Sequence, residues 1–228
     1  MSLDGDVALV TGANRGLGQS LVKALAKVGV PCIHAGARGP FHLPDFGSRT
    51  SVLPLELNIT DGAQVARVAS HASDVTLLIN NAGLLPRGGA MSICEQDLRA
   101  AIEVNLMGTW KMARAFAPVI EANGGGVIVN ILSLISLQNA PPFAAYSAAK
   151  HASWAMTQSL HDDLAGTSVR VVACLPGGID TDMLEGVPAI KAYPDSVSSS
   201  IVEAIMRGDT EIFPDRVSAM QGPALLGS

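Results

Sequence analysis

Tyr146 and Lys150 stand four residues apart in Tyr146-Ser147-Ala148-Ala149-Lys150. On a helix, that spacing places both side chains on one face. An ammonium beside a phenol favours the ionised form of a group that otherwise titrates near about 10. A phenol tuned in this way gives or takes a proton near neutral pH. The pair alone is common by chance. Its weight comes from a glycine-rich turn at the front of the chain, an Asn80-Asn81-Ala82-Gly83 stretch in the middle, and Ser133 upstream of the pair.

Those groups need elements to hold them. Val7-Ala8-Leu9-Val10 reads as a strand that stops at Thr11-Gly12-Ala13-Asn14-Arg15-Gly16-Leu17-Gly18. Apolar residues at helical spacing then run from Leu17 to Val28, and Gly29 ends the helix. Further aliphatic runs predict strands at 32–35, 52–55, 75–79, 127–131 and 169–173, with a short last one at 211–213. Helices are expected from Asp61, as cap, to about His71, and over 103–122, 146–164 and 196–206. Gly39, Pro40, Pro44 and Gly47 argue against a long helix between the second and third strands. Strands alternating with helices imply an α/β fold with a parallel sheet covered on both faces. No linker divides the chain, so residues 1–228 are expected to form one domain. The segment after Val217 is expected to be loosely ordered or packed on a neighbour.

Composition narrows the function. The 228 residues are 48% hydrophobic and 15% charged, ample for a sizeable core. Aromatics make up only 4%, which suits small side chains packed on a buried sheet. A net charge of -5 without a basic patch speaks against a nucleic-acid partner. Cys32, Cys94 and Cys174 are scattered, with neither disulfide nor zinc spacing. The five histidines show no metal-ligand pattern, so no metal is expected. No signal peptide or membrane-spanning run is visible, and a cytoplasmic protein with no membrane partner is expected.

The glycine turn follows a strand and opens a helix. Glycines there let backbone amides approach a pyrophosphate, and the helix N-terminus adds partial positive charge. Together, Thr11-Gly12-x-x-x-Gly16-x-Gly18, Asn80-Asn81-Ala82-Gly83, Ser133, Tyr146-x-x-x-Lys150 and Pro176-Gly177 resemble the short-chain dehydrogenase/reductase family in order and spacing, over about 6–213. The resemblance implies a three-layer, Rossmann-like doubly wound sheet of about seven parallel strands. It also implies hydride transfer between a nicotinamide dinucleotide and a carbonyl or alcohol.

By that resemblance Tyr146 is the general acid/base, and Lys150 tunes it and holds the nicotinamide ribose. Ser133 faces the developing oxyanion, and Asn105 supports a water and proton path to the lysine. Two plainer readings stay open: Ser133 as a strand-end cap and Asn105 as a helix bend. The cofactor set is Gly12, Asn14, Arg15, Gly16, Leu17, Gly18, Arg38, Asn58, Ile59, Asn81, Ala82, Gly83, Tyr146, Lys150, Pro176, Gly177 and Thr181. Asn81-Ala82-Gly83 flanks the adenosine half, while Pro176-Gly177 and Thr181 meet the nicotinamide. A plain turn competes at both places. Asn58 departs from the usual Asp that accepts from adenine.

An acidic residue at the end of the second strand would select NAD. This chain has Ala35-Gly36-Ala37-Arg38 there, with Arg15 in the turn. Two guanidiniums suit a 2′-phosphate, so NADP(H) is expected ahead of NAD(H). The competing reading has one or both arginines in water or on a carboxylate such as Asp45 or Glu56. Leu134, Phe143, Met183 and Leu184 are expected to line an apolar substrate pocket under a brief, open lid. Family members pair through two long helices, so a homodimer or homotetramer is expected. Met112, Phe116, Trp154 and Met156 read equally as that interface or as core. A dinucleotide-binding scaffold without turnover is the alternative from another class. A sugar-nucleotide epimerase would need a further domain after Thr181.

Overall fold

In the computed structural model, residues 2–39, 41 and 49–227 are described. Aliphatic runs bounded by glycine and polar residues form the strands. These are β1 (Val7–Thr11), β2 (Cys32–Ala37), β3 (Ser51–Glu56), β4 (Leu77–Asn80), β5 (Gly126–Ile131), β6 (Val169–Cys174) and two short pieces, β7 (Gly178–Ile179) and β8 (Lys191–Ala192), followed by β9 (Glu211–Ile212). Seven of them make one parallel sheet in the order β3-β2-β1-β4-β5-β6-β9, and β7 pairs with β8 apart from it. Pro54 is accommodated because β3 is an edge strand.

The period of two divides the strand side chains between two cores. Ala8, Val10, Ile79, Val127 and Val129 join the layer with α1 (Gly16–Lys27) and α6 (Pro194–Arg207). Leu9, Leu78 and Ile128 face the layer with α2 (Gly62–His71) and α4 (Thr109–Ala122), where Val65, Val68, Met112, Phe116 and Ile120 are buried. Met112 and Phe116 are therefore core rather than interface. The two layers and the sheet make the doubly wound α/β architecture that the alternation predicts. Asp61 caps α2 by accepting from Ala63 N and Gln64 N. Pro194 opens α6, and Gly208 at φ 93° closes it.

The structure departs from the sequence reading in two places. Helix α3 (Glu95–Ile102) precedes the expected start at 103, its first turn made favourable by Glu95 and Asp97. It runs into a π-helical turn, Glu103–Gly108, and on into α4, so 95–122 is one continuous rod with a bulge. The tail is not loose: α7 (Arg216–Leu226) is capped by Asp215 and Ser218. Between β2 and β3, Pro40, His42, Pro44, Asp45 and Gly47 lie outside the described residues. The remaining long helix is α5 (Ala144–Asp163). Among the described residues no helix is long and apolar enough to cross a membrane. Phe116 is fully buried between α4 and the sheet. Phe116→Ala is expected to lower the unfolding free energy by about 3–5 kcal/mol, read from urea denaturation.

Candidate functional site

The carboxyl ends of β1, β4, β5 and β6 gather four loops at one edge. The first is the glycine turn. Gly12 has φ 66° and Gly16 φ 55°, conformations that side chains resist. A methyl group on Gly18 would run into the Gly12 carbonyl. The Asn81 amide holds the turn in shape by donating to Thr11 O at 2.9 Å and Gly12 O at 3.3 Å. Thr11 Oγ1 in turn accepts from the backbone of Asn81 and Ala82, each at 3.0 Å. Asn81 thus serves the turn itself. Arg15, at the start of α1, makes no side-chain cap, and the first turn holds no acid. Those helix N–H groups suit an anion, and the cradle fits a dinucleotide pyrophosphate.

The second group lies on α5. Tyr146, Lys150, Ser153 and Thr157 form one buried stripe at spacings of four, three and four. Lys150 Nζ donates to the Ile131 carbonyl at 2.6 Å and stands 5.7 Å from the centroid of the Tyr146 ring. Burial pushes the phenol up to about 12, and the opposing hydrogen bond with Ser133 only moderates this. Burial also draws the Lys150 ammonium down to about 8. The expectation that Lys150 carries the phenol toward neutrality is corrected here. Desolvation is the largest influence on both groups, and the ammonium is directed at a backbone carbonyl. Near neutral pH the pair is a proton-bearing phenol beside an ammonium.

The cap reading of Ser133 is seen directly. It caps a short 3₁₀ turn, Leu134–Ser136, by accepting from Ile135 N at 3.2 Å, and it also bonds the phenol. Asn105 lies fully buried in the π-helical turn. Its amide donates to Leu84 O at 2.8 Å and Ala101 O at 2.9 Å, and it accepts from Leu84 N at 3.2 Å. The bulge exposes its backbone carbonyl to the Ser153 hydroxyl at 2.9 Å. Asn105 Oδ1 would meet a methyl on Gly83 at 3.1 Å, so this turn and the Asn81-Ala82-Gly83 loop touch.

The third region is the lid after β7. Thr181 lies against the glycine turn, its Cγ2 at 3.2 Å from where a methyl on Gly16 would be. Arg15 pairs with Asp182 at 3.1 Å across that contact. Arg87 donates to the Glu185 carbonyl, and Lys191 to the Leu184 carbonyl at 2.8 Å. The lid is brief but pinned rather than open. Met183 reaches over Gly83, while Leu184 packs on Gly178 inside the lid. Arg38 is exposed at the end of β2 and makes no ion pair among the described residues. The Asn58 oxygen accepts from Thr60 N at 3.2 Å and from Thr60 Oγ1 at 2.9 Å. Ile59 is buried in the core against Gly108. A cavity of 450 Å³ touches Ala144, Ser147, Ala148 and His151, on the side of α5 away from Tyr146.

A family model described as short chain dehydrogenase matches residues 6–191. The chain belongs to the short-chain dehydrogenase/reductase family. It is an oxidoreductase of the class acting on CH–OH groups with NAD(P). A short chain dehydrogenase from Burkholderia cenocepacia, solved in complex with NADP, is 40% identical, covers 99% of this chain and 94% of its own, and has a TM-score of 0.92. The 3-oxoacyl-(acyl-carrier-protein) reductase of Thermotoga maritima is 32% identical over 197 residues, 82% of this chain and 80% of the relative. The 2-dehydro-3-deoxy-D-gluconate 5-dehydrogenase of Escherichia coli is 29% identical over 214 residues, 91% of this chain and 83% of the relative.

Within this dehydrogenase frame, several site residues escape the sequence reading. Thr11 was visible in the motif, but its hydroxyl role needs the neighbouring strand. Asp182 and Arg87 depend on lid geometry. Asp215 accepts from Gly177 N at 2.7 Å from 38 residues away. No group of three or more His, Cys, Asp or Glu is placed to hold a metal ion among the described residues.

Lys150 links the site to pH. Unfolded, the lysine keeps its proton to about 10.5; folded, only to about 8. Folding releases a proton between those values, so the Lys150 contribution to stability improves as pH rises through that window. Urea denaturation of wild type and Lys150→Met across the window isolates this term from the other titrating groups. The difference is expected to move toward wild type by roughly 1 kcal/mol per pH unit.

Proposed function

We propose that the chain is an NADP(H)-dependent oxidoreductase, with residues 1–228 acting as one domain, that interconverts a hydrophobic carbonyl compound and its alcohol. The observation that carries this reading is the buried, proton-bearing Tyr146 phenol bonded to Ser133, with Lys150 one turn further along α5. The dinucleotide, when bound, supplies or takes the hydride. Gly12, Asn14, Arg15, Gly16, Leu17 and Gly18 hold its pyrophosphate. Arg38, Asn58, Ile59 and the loop Asn81-Ala82-Gly83 would hold the adenosine end. Pro176, Gly177 and Thr181 hold the nicotinamide end.

In reduction, negative charge grows on the carbonyl oxygen. Ser133 donates a hydrogen bond to that oxygen, and Tyr146 transfers its proton to it. A phenol kept protonated at neutral pH suits this direction. Lys150 keeps a positive charge next to the phenol as the proton leaves, which lowers the penalty of a buried phenolate. Asn105 holds the π-helical turn and supports a water path to Lys150, along which solvent returns the proton that Tyr146 gives up.

Leu134, Phe143, Met183 and Leu184 support an apolar substrate, with Met183 40% exposed at the mouth beside Leu84 at 37%. The relatives' names range from a carrier-bound acyl chain to a sugar acid, so the choice rests on this lining. A cytoplasmic homodimer or homotetramer without metal, nucleic-acid or membrane partners completes the proposal.

Two experiments test it. NADPH oxidation is followed against mixed apolar ketones and aldehydes. Tyr146→Phe is expected to lower kcat by about 10²-fold or more while NADPH still binds. Binding without turnover in wild type would favour the scaffold alternative. Cofactor choice is read from NADPH and NADH dissociation constants. Arg15→Ala and Arg38→Asp are each expected to weaken NADPH by about tenfold and NADH little. Asp182→Asn, which releases Arg15, is expected to strengthen NADPH selectively. Equal loss of both dinucleotides in the arginine variants would count against the 2′-phosphate assignment.

A further inference from the structure

One peptide group at the mouth of the site is held from both ends. Its carbonyl, on Pro176, accepts from Leu134 N at 2.9 Å and from Ser133 Oγ at 3.5 Å. Its N–H, on Gly177, donates to Asp215 Oδ2 at 2.7 Å. Asp215 is 91% buried, 9% of its surface being exposed, between β9 and α7. Its two oxygens divide the work. Oδ1 caps α7, accepting from Val217 N and Ser218 N at 3.0 Å each. Oδ2 holds the peptide, with a further bond from Ser218 Oγ at 2.8 Å. A methyl on Gly177 would meet Asp215 Oδ1 at 2.9 Å, so the two segments are in close contact.

We propose that Asp215 is a positioning residue for the reaction, acting through the 176–177 peptide on Ser133 and on the loop proposed to hold the nicotinamide end. The proposal rests on the carbonyl-reducing function inferred above. A carboxylate accepting the peptide N–H polarises the peptide and makes its carbonyl a better acceptor. That carbonyl anchors Leu134 N, next in the chain to Ser133, and so sets where the Ser133 hydroxyl stands. Through Asp215 the C-terminal helix becomes part of the site, although no α7 side chain need touch substrate.

The divided roles of the two oxygens allow a clean test. Asp215→Asn keeps one oxygen to cap α7 but sets an NH₂ where Oδ2 accepts from Gly177. Ser218→Ala weakens the cap and leaves the Gly177 bond. Three quantities are measured in wild type and both variants: thermal midpoint, kcat for an apolar ketone with NADPH, and amide hydrogen exchange by NMR at Gly177 and Leu134. In Asp215→Asn, kcat is expected to fall by about tenfold or more, in line with the penalty of small misplacements. Exchange at Gly177 and Leu134 is expected to accelerate, with little change in midpoint. In Ser218→Ala the midpoint falls, while kcat stays within about twofold and the two amides remain protected.

Unchanged exchange in Asp215→Asn overturns the proposal, as does faster exchange with unchanged kcat. A fall in kcat that only tracks the midpoint in both variants also overturns it. A wild type that binds NADPH but reduces no carbonyl ends the parent reading. The exchange rates then still decide whether Asp215 fixes the peptide.

Discussion

In a parallel sheet every strand ends at the same edge, so every strand-to-helix loop is delivered there. That constraint brings together residues far apart in the chain: Gly12, Asn81, Ser133 and Pro176 all follow strands of one sheet. Proximity alone would leave four mobile loops. Cross-loop hydrogen bonds tie them together. Asn81 and Thr11 join the first two, and Leu134 N and Pro176 O join the last two. A buried chain joins strands to helices: Asn80 to Asn130 at 2.9 Å, Asn130 to Thr157 at 3.0 Å, Thr157 to Ser153 O at 2.7 Å, and Ser153 to the Asn105 carbonyl. Apart from Asn80 Oδ1, which has no partner among the described residues, these deep polar groups satisfy one another, and they fix the register of α5 against the π-helical turn.

The same burial sets the electrostatics. A phenol and an ammonium side by side in water would pull each other's protonation toward the charged forms. Buried together, each is pushed toward neutrality. The phenol therefore keeps its proton near neutral pH rather than standing as a phenolate. Such an arrangement adds little to stability, since removing two groups from water costs more than their attraction returns.

Much of this was legible in the sequence, because period and punctuation are local. Aliphatic runs ending at Gly12 or Asn81 gave strands, and the spacing of Tyr146 and Lys150 gave their shared face. Asp61 and Gly29 marked helix ends through their own chemistry. What escaped depends on partners distant in the chain. The α3 portion of the helical rod, starting at Glu95, lacks a strong apolar stripe, with Ala101 its one buried residue. The tail looked loose because Gly222 and Pro223 are poor helix formers. Its order comes from Asp215 and Ser218 and from Gly222 packing against Phe213. The pairing of Arg15 with Asp182, 167 residues later, has no local signature.

The account stands on a dinucleotide lying along this edge with its reactive end at the phenol. A crystal structure of the chain with NADP⁺ tests this most directly. The account predicts pyrophosphate on the turn between Gly12 and Gly18 and the nicotinamide ring between Tyr146 and the Pro176-Gly177 peptide, with Lys150 within reach of the adjoining ribose. A dinucleotide bound elsewhere, or one whose nicotinamide lies away from the Tyr146 hydroxyl, would contradict it.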